Sequence, residues 1–448
     1  MVNFITQLAR YLIPVLMIIY TIRCFTAFGI NSARRNRRRY NGQNSLMFII
    51  QFTMNFVLFL NDPQISRIIF YAAQVCFLIV ALYMYSHIYK EASKMLINNM
   101  FFMLMLGFTM LSRLDMQLAI KQFGIAVGSV LLSLVIPGFI AKARHLSHLA
   151  IVYGALGIAV IGSVFFFGKT VYGATNWISI GGIGFQPSEL AKIIFVFFIA
   201  SMLYKDTSLK RIIITTICAA AFVVLLVAET DLGAAVIFFI TYLVMLYVAT
   251  RRFLYTGVGL GAGVAAALFG YKHFSHVQRR VLAWRDPWGN YDDAGYQICQ
   301  SLMAIGTGSW FGMGLMQGSP EDIPVKESDF IFAVICEELG GIFGICLVLV
   351  YISCFLMFIN ISLKLTNNFY KLLAIGLSIS YGIQVILCIG GVTKFIPHTG
   401  VTMPLVSYGG SSILSTVLVF AVIQGLYLLK RKEEMQIEIR KKQAQFRQ

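Results

Sequence analysis

Charge is scarce in this chain of 448 residues: 12% of its positions are Asp, Glu, Lys or Arg, and only 19 are acidic. Soluble domains carry roughly 25% charged residues, so a single water-facing globule is excluded. The eight cysteines include no CxxC pair and no metal-ligand spacing, and seven lie in or near apolar segments, with Cys299 in a polar loop. That pattern removes dithiol redox and zinc-ribbon chemistry and leaves cysteine as a small core residue. Six histidines form no HExxH, which removes the zincin class; His273 and His276 read as a shared helix face, a polar collar near head groups. The glycines at 306, 308, 312 and 314 precede no GKS or GKT, and GLGAG at 259–263 follows no strand. Both runs therefore read as close backbone packing rather than nucleotide loops.

What is abundant is apolar sequence: 58% of residues are hydrophobic and the mean hydropathy is +0.78. Thirteen apolar runs lie near 8–29, 45–61, 66–86, 99–113, 118–138, 149–167, 187–204, 211–229, 232–249, 253–270, 330–359, 372–391 and 410–429. Strings such as VFFIASMLY are continuously apolar, whereas strands of an outer-membrane barrel would alternate, so the fold class is an all-α polytopic membrane protein. The net charge of +17 falls between the apolar runs and not in one patch, which argues for membrane topology and against a nucleic-acid partner.

An odd number of spans puts the termini on opposite sides. If the loop with Arg34, Arg35, Arg37, Arg38 and Arg39 is cytoplasmic, the inner loops and tail hold 23 Lys and Arg and the outer loops hold 9. Positive charge stays inside, so the N-terminus is expected outside and the C-terminus in the cytoplasm. The first segment has only Arg10 before it and no clear small-residue cleavage site, which reads as an anchor. The tail, 430–448, mixes charges as a solvated helix would. No soluble domain fits between spans, and the one long polar insertion is the outer loop at about 271–329. Nine of the nineteen acids lie between Asp286 and Glu338.

Three outer-face clusters carry the candidate chemistry. In NWISIGGIGFQPSELAK, Pro187 opens a helix that places Glu189 and Lys192 three residues apart on one face. Lys192 would lie about 8 Å beyond the helix start, where a charge needs a partner or a wet cavity, so an internal ion pair and a cavity for an anionic head group both remain open. In PVKESDFIFAVICEELGG, Asp329 is the last acid before the apolar run, at the water–membrane boundary, where partial desolvation raises a carboxylate toward general-base range. Glu337 and Glu338 follow one to two turns deeper, either as the functional acid or as structural partners of Arg or Lys. IPHTGVTMPLVSYGGSS is irregular and polar at the mouth of the last helix; it contains Ser407, Gly409 and Gly410, with Ser411 and Ser412 as helix caps.

In this order, RLD at 113–115, NWI at 176–178, QPSELAK at 186–192, TDLGAA at 230–235, GYQICQS at 295–301, SDFIFAVICEELG at 328–340 and TGVTMPLVSYGGSS at 399–412 resemble the shape, elongation, division and sporulation (SEDS) family of membrane glycosyltransferases, typified by RodA, FtsW and SpoVE. The resemblance runs from about residue 99 to the end of the last helix. It implies a ten-helix SEDS-like core, 99–429, preceded by an extension, 1–98, with three extra transmembrane helices. It implies polymerisation of lipid II, an undecaprenyl-diphosphate disaccharide, at the outer face of the bacterial cytoplasmic membrane, beside a class B penicillin-binding protein. Asp329 is then the essential acid, with Glu189 and Lys192 in the cavity near it. Candidate cations for the diphosphate are Lys192, Arg279, Arg280 and Lys326, of which only Lys192 has motif support. Ser407, Gly409 and Gly410 are carried as substrate-binding candidates. No cofactor is fixed, and a divalent cation such as Mg²⁺ is left open.

The chain departs from the family pattern where a histidine and a threonine or serine usually precede the aspartate: Glu327 and Ser328 stand there. GTGSWFG has Ser309 and Trp310 where a glycine pair is common, and Lys394 lies in the lead-in to the third cluster. Competing readings are a flippase for the lipid-linked precursor, which would show paired broken helices in two related halves, and a silent scaffold for a transpeptidase. The sequence shows no internal repeat of the flippase kind.

Overall fold

The computed structural model describes residues 2–26, 33–143, 145–171, 174–180 and 183–445. The chain enters through α1 (Val2–Thr26), α2 (Ala33–Asn61) and α3 (Ile65–Ile88). Next come α4 (Lys94–Leu114), α5 (Met116–Ser133), the short α6 (Ile136–Lys142), α7 (Ala150–Gly162) and α8 (Val164–Phe167). Three antiparallel strands follow, β1 (Gly168–Val171), β2 (Ala174–Ile180) and β3 (Ile183–Phe185), in the order β1-β2-β3. Then come α9 (Pro187–Leu203), α10 (Leu209–Ala228), α11 (Leu232–Thr250) and α12 (Phe253–His273). The long insertion folds as α13 (Ser275–Arg285) and α14 (Tyr296–Gly308), and α15 (Ile331–Lys364), α16 (Asn368–Val392) and α17 (Gly410–Gln445) complete the chain.

Each of the thirteen apolar runs is helical over its described residues, 118–138 being shared by α5 and α6 and 149–167 by α7 and α8. Among the described residues, 12 helices are long and apolar enough to cross a membrane, counting α5 with α6 and α7 with α8 as single spans. The thirteenth, α9, has 17 residues. The small sheet, which the sequence reading did not foresee, leads directly into α9. The arginine run expected in a loop instead opens α2. The tail expected as a helix is the unbroken continuation of α17 as far as Gln445.

Helix starts follow local chemistry. Asp115 accepts from the amides of Gln117 and Leu118 at 2.7 and 3.1 Å and caps α5; Asp231 accepts from Ala234 N at 3.0 Å and caps α11; Asn367 accepts from Phe369 N at 2.9 Å and caps α16. Pro187 takes the first position of α9, where its missing N–H costs nothing.

The bundle is built around α4, whose apolar window is buried on all sides, with Phe101, Phe102 and Phe108 fully enclosed. In contrast, α12 buries no residue; it touches α11 through Gly259 and Gly263, where an added Cβ would come within 2.4 Å of Leu243 and Phe239. The rest of its surface is apolar and outward, as in a lipid-facing helix. The first three helices share the same hydrophobic core as the rest: Ile13, Met17 and Tyr20 of α1 and Met47 and Ile50 of α2 are fully buried. Tyr20 donates to Asn99 at 2.9 Å, and Asn99 donates on to Ser353 at 3.0 Å, a polar chain through α1, α4 and α15.

Candidate functional site

The polar mouths of α9, α11 and α15 gather at one end of the bundle, below the loop 393–409. Asp329 stands just before α15 in a turn closed by Val325, whose carbonyl accepts from Ser328 N at 3.2 Å and Phe330 N at 3.4 Å. Val325 has φ of +53°, a conformation that a β-branched residue adopts only under constraint. The constraint comes from the loop opposite. Tyr408 N donates to Glu327 O at 2.7 Å, and Ser407 Oγ donates to Ser328 O at 2.5 Å while accepting from Met403 N at 2.8 Å. The two residues before Asp329 are thus stapled to the loop at 407–408.

His398 Nε2 lies 3.6 Å from Asp329 Oδ2, and its ring stacks on Phe330 with centroids 4.6 Å apart. Gly400, with φ of +73°, is the next close neighbour: a Cβ there would sit 3.6 Å from Oδ2. Gly400 also lines a narrow cleft open to solvent, together with Glu189, Lys192, Asp231 and Thr402. Asp329 therefore stands at the rim of that cleft.

Inside the cleft, Lys192 donates to Glu189 Oε2 at 2.8 Å and to Gln384 Oε1 at 2.6 Å, and Ser415 Oγ donates to the same Glu189 oxygen at 2.6 Å. The pair is the internal ion pair that was one of the two alternatives, joining α9, α16 and α17, and it also lines the cleft. Asp231 Oδ2 accepts from Asn176, Gln186 and Ser188 at 3.2, 2.8 and 3.0 Å. One buried carboxylate thereby fixes β2, the entry to α9 and the start of α11. Thr230, just before it, holds φ of +61°.

The four cation candidates part company. Arg280, on α13, donates to Thr399 O at 3.4 Å. Burial pushes its guanidinium below the usual arginine range, while the carboxylates of Asp231 and Asp329 pull it back up. Both carboxylates are therefore near enough for the Arg280 guanidinium to feel their charge. Its neighbour Arg279 points away and pairs with exposed Asp293 at 2.5 Å. Lys326 pairs with Glu321, and Lys192 is engaged as described. The indole of Trp284 donates to Lys394 O at 3.1 Å and docks α13 on the loop, which aims Arg280 inward.

Deeper along α15, Gly340 breaks the helix with φ of 89° and ψ of 164°. The backbone groups released there are taken up by the 309–314 segment: Met313 N and Gly314 N donate to the carbonyls of Glu337 and Glu338 at 2.8 and 3.0 Å, and Gly341 N donates to Ser309 O at 2.8 Å. A Cβ on Gly308 or Gly312 would meet the carbonyl of Cys336 or Glu338 at 2.1 or 2.2 Å, so these glycines serve close backbone packing, as read from the sequence. Glu338 accepts from Arg113 Nε at 3.0 Å, and Glu337 accepts from Ser319 N at 3.1 Å. Both are structural partners here, away from the cleft.

The chain matches the FtsW/RodA/SpoVE family, described as cell cycle protein, over residues 93–432. It belongs to that family. Peptidoglycan glycosyltransferase RodA of Mycobacterium bovis is 37% identical over 267 residues, 56% of this chain and 57% of that protein. The probable peptidoglycan glycosyltransferase FtsW of Aeromonas salmonicida is 32% identical over 296 residues, 64% of this chain and 75% of its own. The chain thus spans little more than half the length of the mycobacterial relative. Crystallised rod shape determining protein RodA of Thermus thermophilus superposes with a TM-score of 0.58 at 23% identity, over 75% of this chain and 96% of that one. A chain from work on structural coordination of polymerization and crosslinking by a peptidoglycan synthase complex gives 0.65 at 24% identity, over 76% and 98%. These two carry the fold alone. With its spanning helices, this FtsW/RodA/SpoVE member is a multi-pass bacterial membrane protein.

Of the residues singled out in advance, Asp329, Glu189, Lys192 and Arg280 converge on this FtsW/RodA/SpoVE cleft and its rim. Ser407 supports the backbone beside Asp329. Gly409 N donates to Gln122 Oε1 at 3.0 Å, and a Cβ on Gly410 would come within 2.7 Å of Ile125, so both serve the seat of α17 on α5. Ser411 and Ser412 lie inside the first turn of α17 rather than before it; Ser412 instead accepts from Thr402 at 2.8 Å. Cys299 is buried in α14, not in a polar loop. His273 and His276 lie on different helices, because the chain turns at Phe274. Sequence reasoning missed Asp231, His398 and Gln384 as site residues. Scarcity was the available signal: an acid in TDLGAA at the mouth of a span, and an amide within the apolar run 372–391, each need a partner there.

Proposed function

We propose that this protein is an inverting, lipid-linked glycosyltransferase that polymerises lipid II into peptidoglycan strands, with Asp329 as general base. The observation that carries it is Asp329 at the rim of a cleft lined by Glu189, Lys192 and Asp231, with Arg280 anchored at Thr399 O beside Gly400 and within electrostatic reach of both aspartates. The names of the relatives, peptidoglycan glycosyltransferase RodA and FtsW, support the substrate class.

In this reading Asp329 takes the proton from the 4-hydroxyl of the acceptor sugar. That oxygen attacks the anomeric carbon of the donor, the bond to the diphosphate breaks, and inversion gives a β-1,4 link. Base assistance of this kind contributes about 10²- to 10⁴-fold, or roughly 3 to 5 kcal/mol. The departing diphosphate carries the negative charge, and Arg280 is the cation placed to meet it. Lys192 holds Glu189 and shapes the cleft. Arg279 and Lys326, paired with surface acids, have no part in the step. Charge balance is assigned to the chain's own cations.

The positive-inside bias places this cleft on the outer face, with the N-terminus outside and the C-terminus in the cytoplasm. A class B penicillin-binding protein is the partner expected to crosslink the product, and residues 99–429 are the catalytic unit, with 1–98 as its extension. Purified protein, with its transpeptidase, is given labelled lipid II, and long strands are sought by gel for wild type and Asp329→Ala. Polymer from wild type alone supports the reading. No polymer from either, with substrate and partner verified, would turn the assignment to a flippase or a scaffold.

A further inference from the structure

The reaction just described needs a carboxylate held in one orientation, yet Asp329 accepts no hydrogen bond from the described residues. Two features surround it: the stapled turn that fixes its backbone, and the ring of His398, which comes from the loop that carries Gly400.

The imidazole is tightly placed. One face stacks on Phe330, the residue next to the acid, and Nδ1 is buried without a hydrogen-bond partner. A Cβ on Gly391 would come within 2.9 Å of Nδ1, so that nitrogen is closed off against α16. A neutral imidazole keeps its proton on the nitrogen that has an acceptor. Nδ1 has none, whereas Nε2 has Asp329 Oδ2 at 3.6 Å. The proton therefore belongs on Nε2, aimed at the carboxylate.

At 3.6 Å the contact is slightly too long for a hydrogen bond. Catalytic hydrogen bonds are often long before substrate binds and tighten in the complex. The closing motion required is under 1 Å, and the loop that makes it is the one that lines the cleft through Gly400, Val401 and Thr402. Arg280 holds the same loop through Thr399 O, so a diphosphate drawing on Arg280 pulls on the backbone next to His398.

We infer that His398 is a positioning residue for Asp329: its Nε2–H engages Oδ2 when the loop closes on substrate, leaving Oδ1 oriented toward the acceptor hydroxyl. This chain has Glu327 and Ser328 immediately before the acid, and the ring donor closest to it comes from the loop that carries Gly400. No covalent step is added; the proton still passes from the sugar hydroxyl to Asp329. The inference rests on the reading of Asp329 as the base.

The test separates ring from donor. His398→Phe keeps the stack on Phe330 and removes the N–H; His398→Gln removes the ring and restores an amide donor close to the position of Nε2. Both are assayed with labelled lipid II in the presence of the transpeptidase, with Tm measured alongside. Expected are a fall in kcat of about 10- to 100-fold for His398→Phe with little change in KM, the size of effect a misplaced catalytic group produces, and return to within about threefold of wild type for His398→Gln. Should the Phe variant lose its fold, His398→Asn replaces it, since its shorter amide cannot reach Oδ2 and must lose kcat as Gln does not. Wild-type kcat in the variant lacking a reaching donor, or a Gln variant as slow as that one, overturns the inference. Asp329→Asn measured beside them reports on the base itself: if it still polymerises at wild-type rate, the reading beneath the inference has failed, whatever His398 does.

Discussion

Arg113 Nε donates to Glu338 Oε1 across 3.0 Å, tying the end of α4 to α15 two residues before the break at Gly340. The Glu338 side chain is fully buried and that of Arg113 is 13% exposed, so screening by water is slight. Removing the cation strands a carboxylate in the interior, which costs about 3–5 kcal/mol. Arg113→Leu is expected to lower Tm in detergent by an amount that a second change, Glu338→Leu, largely restores. A single Arg113→Leu variant as stable as wild type would show that the pair contributes nothing.

Gly340→Ala and Gly312→Ala are expected to destabilise strongly. Both positions have positive φ, and an added Cβ would come within 2.4 and 2.2 Å of backbone atoms of the facing segment. Backbone strain alone costs about 1–3 kcal/mol, and the clash forces the 309–314 segment off the broken helix. Gly306→Ala, where nothing lies within 4 Å, is the control and should leave Tm unchanged.

Arg280 and Arg279 are adjacent in sequence and opposite in surroundings. Arg280→Ala should lower the polymerisation rate by about 10²- to 10³-fold, the cost of removing one charged donor from a transition-state site. Arg279→Ala should change it by less than about threefold, because its exposed pair with Asp293 contributes little. Equal losses in both would mean that α13 acts through surface charge.

Asp231→Ala removes the helix cap of α11 and leaves the side chains of Asn176, Gln186 and Ser188 without their shared acceptor. The cap is worth about 1 kcal/mol, and each stranded buried donor adds about 1–3 kcal/mol less whatever water recovers. A drop in Tm larger than that of Arg279→Ala, with loss of polymer, is expected. A variant with unchanged Tm and rate would remove Asp231 from the site.

The bundle itself was legible because lipid leaves few options: all thirteen apolar runs are helical over their described residues, with breaks inside 118–138 and 149–167. The sites read best were those where a charge stood next to an apolar run, as at Glu189, Lys192 and Asp329. Direction was harder. Nothing in the string RR at 279–280 says which arginine turns inward; that depends on Trp284 and on the loop it meets more than 100 residues later. His398 was hidden for a related reason, since its partner is 69 positions away and joined by a fold in the chain, not by a motif. The strands of 168–185 carry too short an alternation to be told from a loop.

Helix α1 has a long wait built into it. Its Thr21 hydroxyl reaches Cys346 O at 3.4 Å, and its Tyr20 joins the polar chain that ends at Ser353. Those partners are synthesised roughly 330 residues later, which at ~5–20 residues per second is about 15 to 65 seconds. Through that interval α1 has its neighbour α2 and, once α4 is made, Asn99 for the Tyr20 phenol, while the Thr21 hydroxyl is held by Met17 O of its own helix. The contacts between α1 and α15 can therefore form only once α15 has been made, so the seat of α1 in the bundle is completed late.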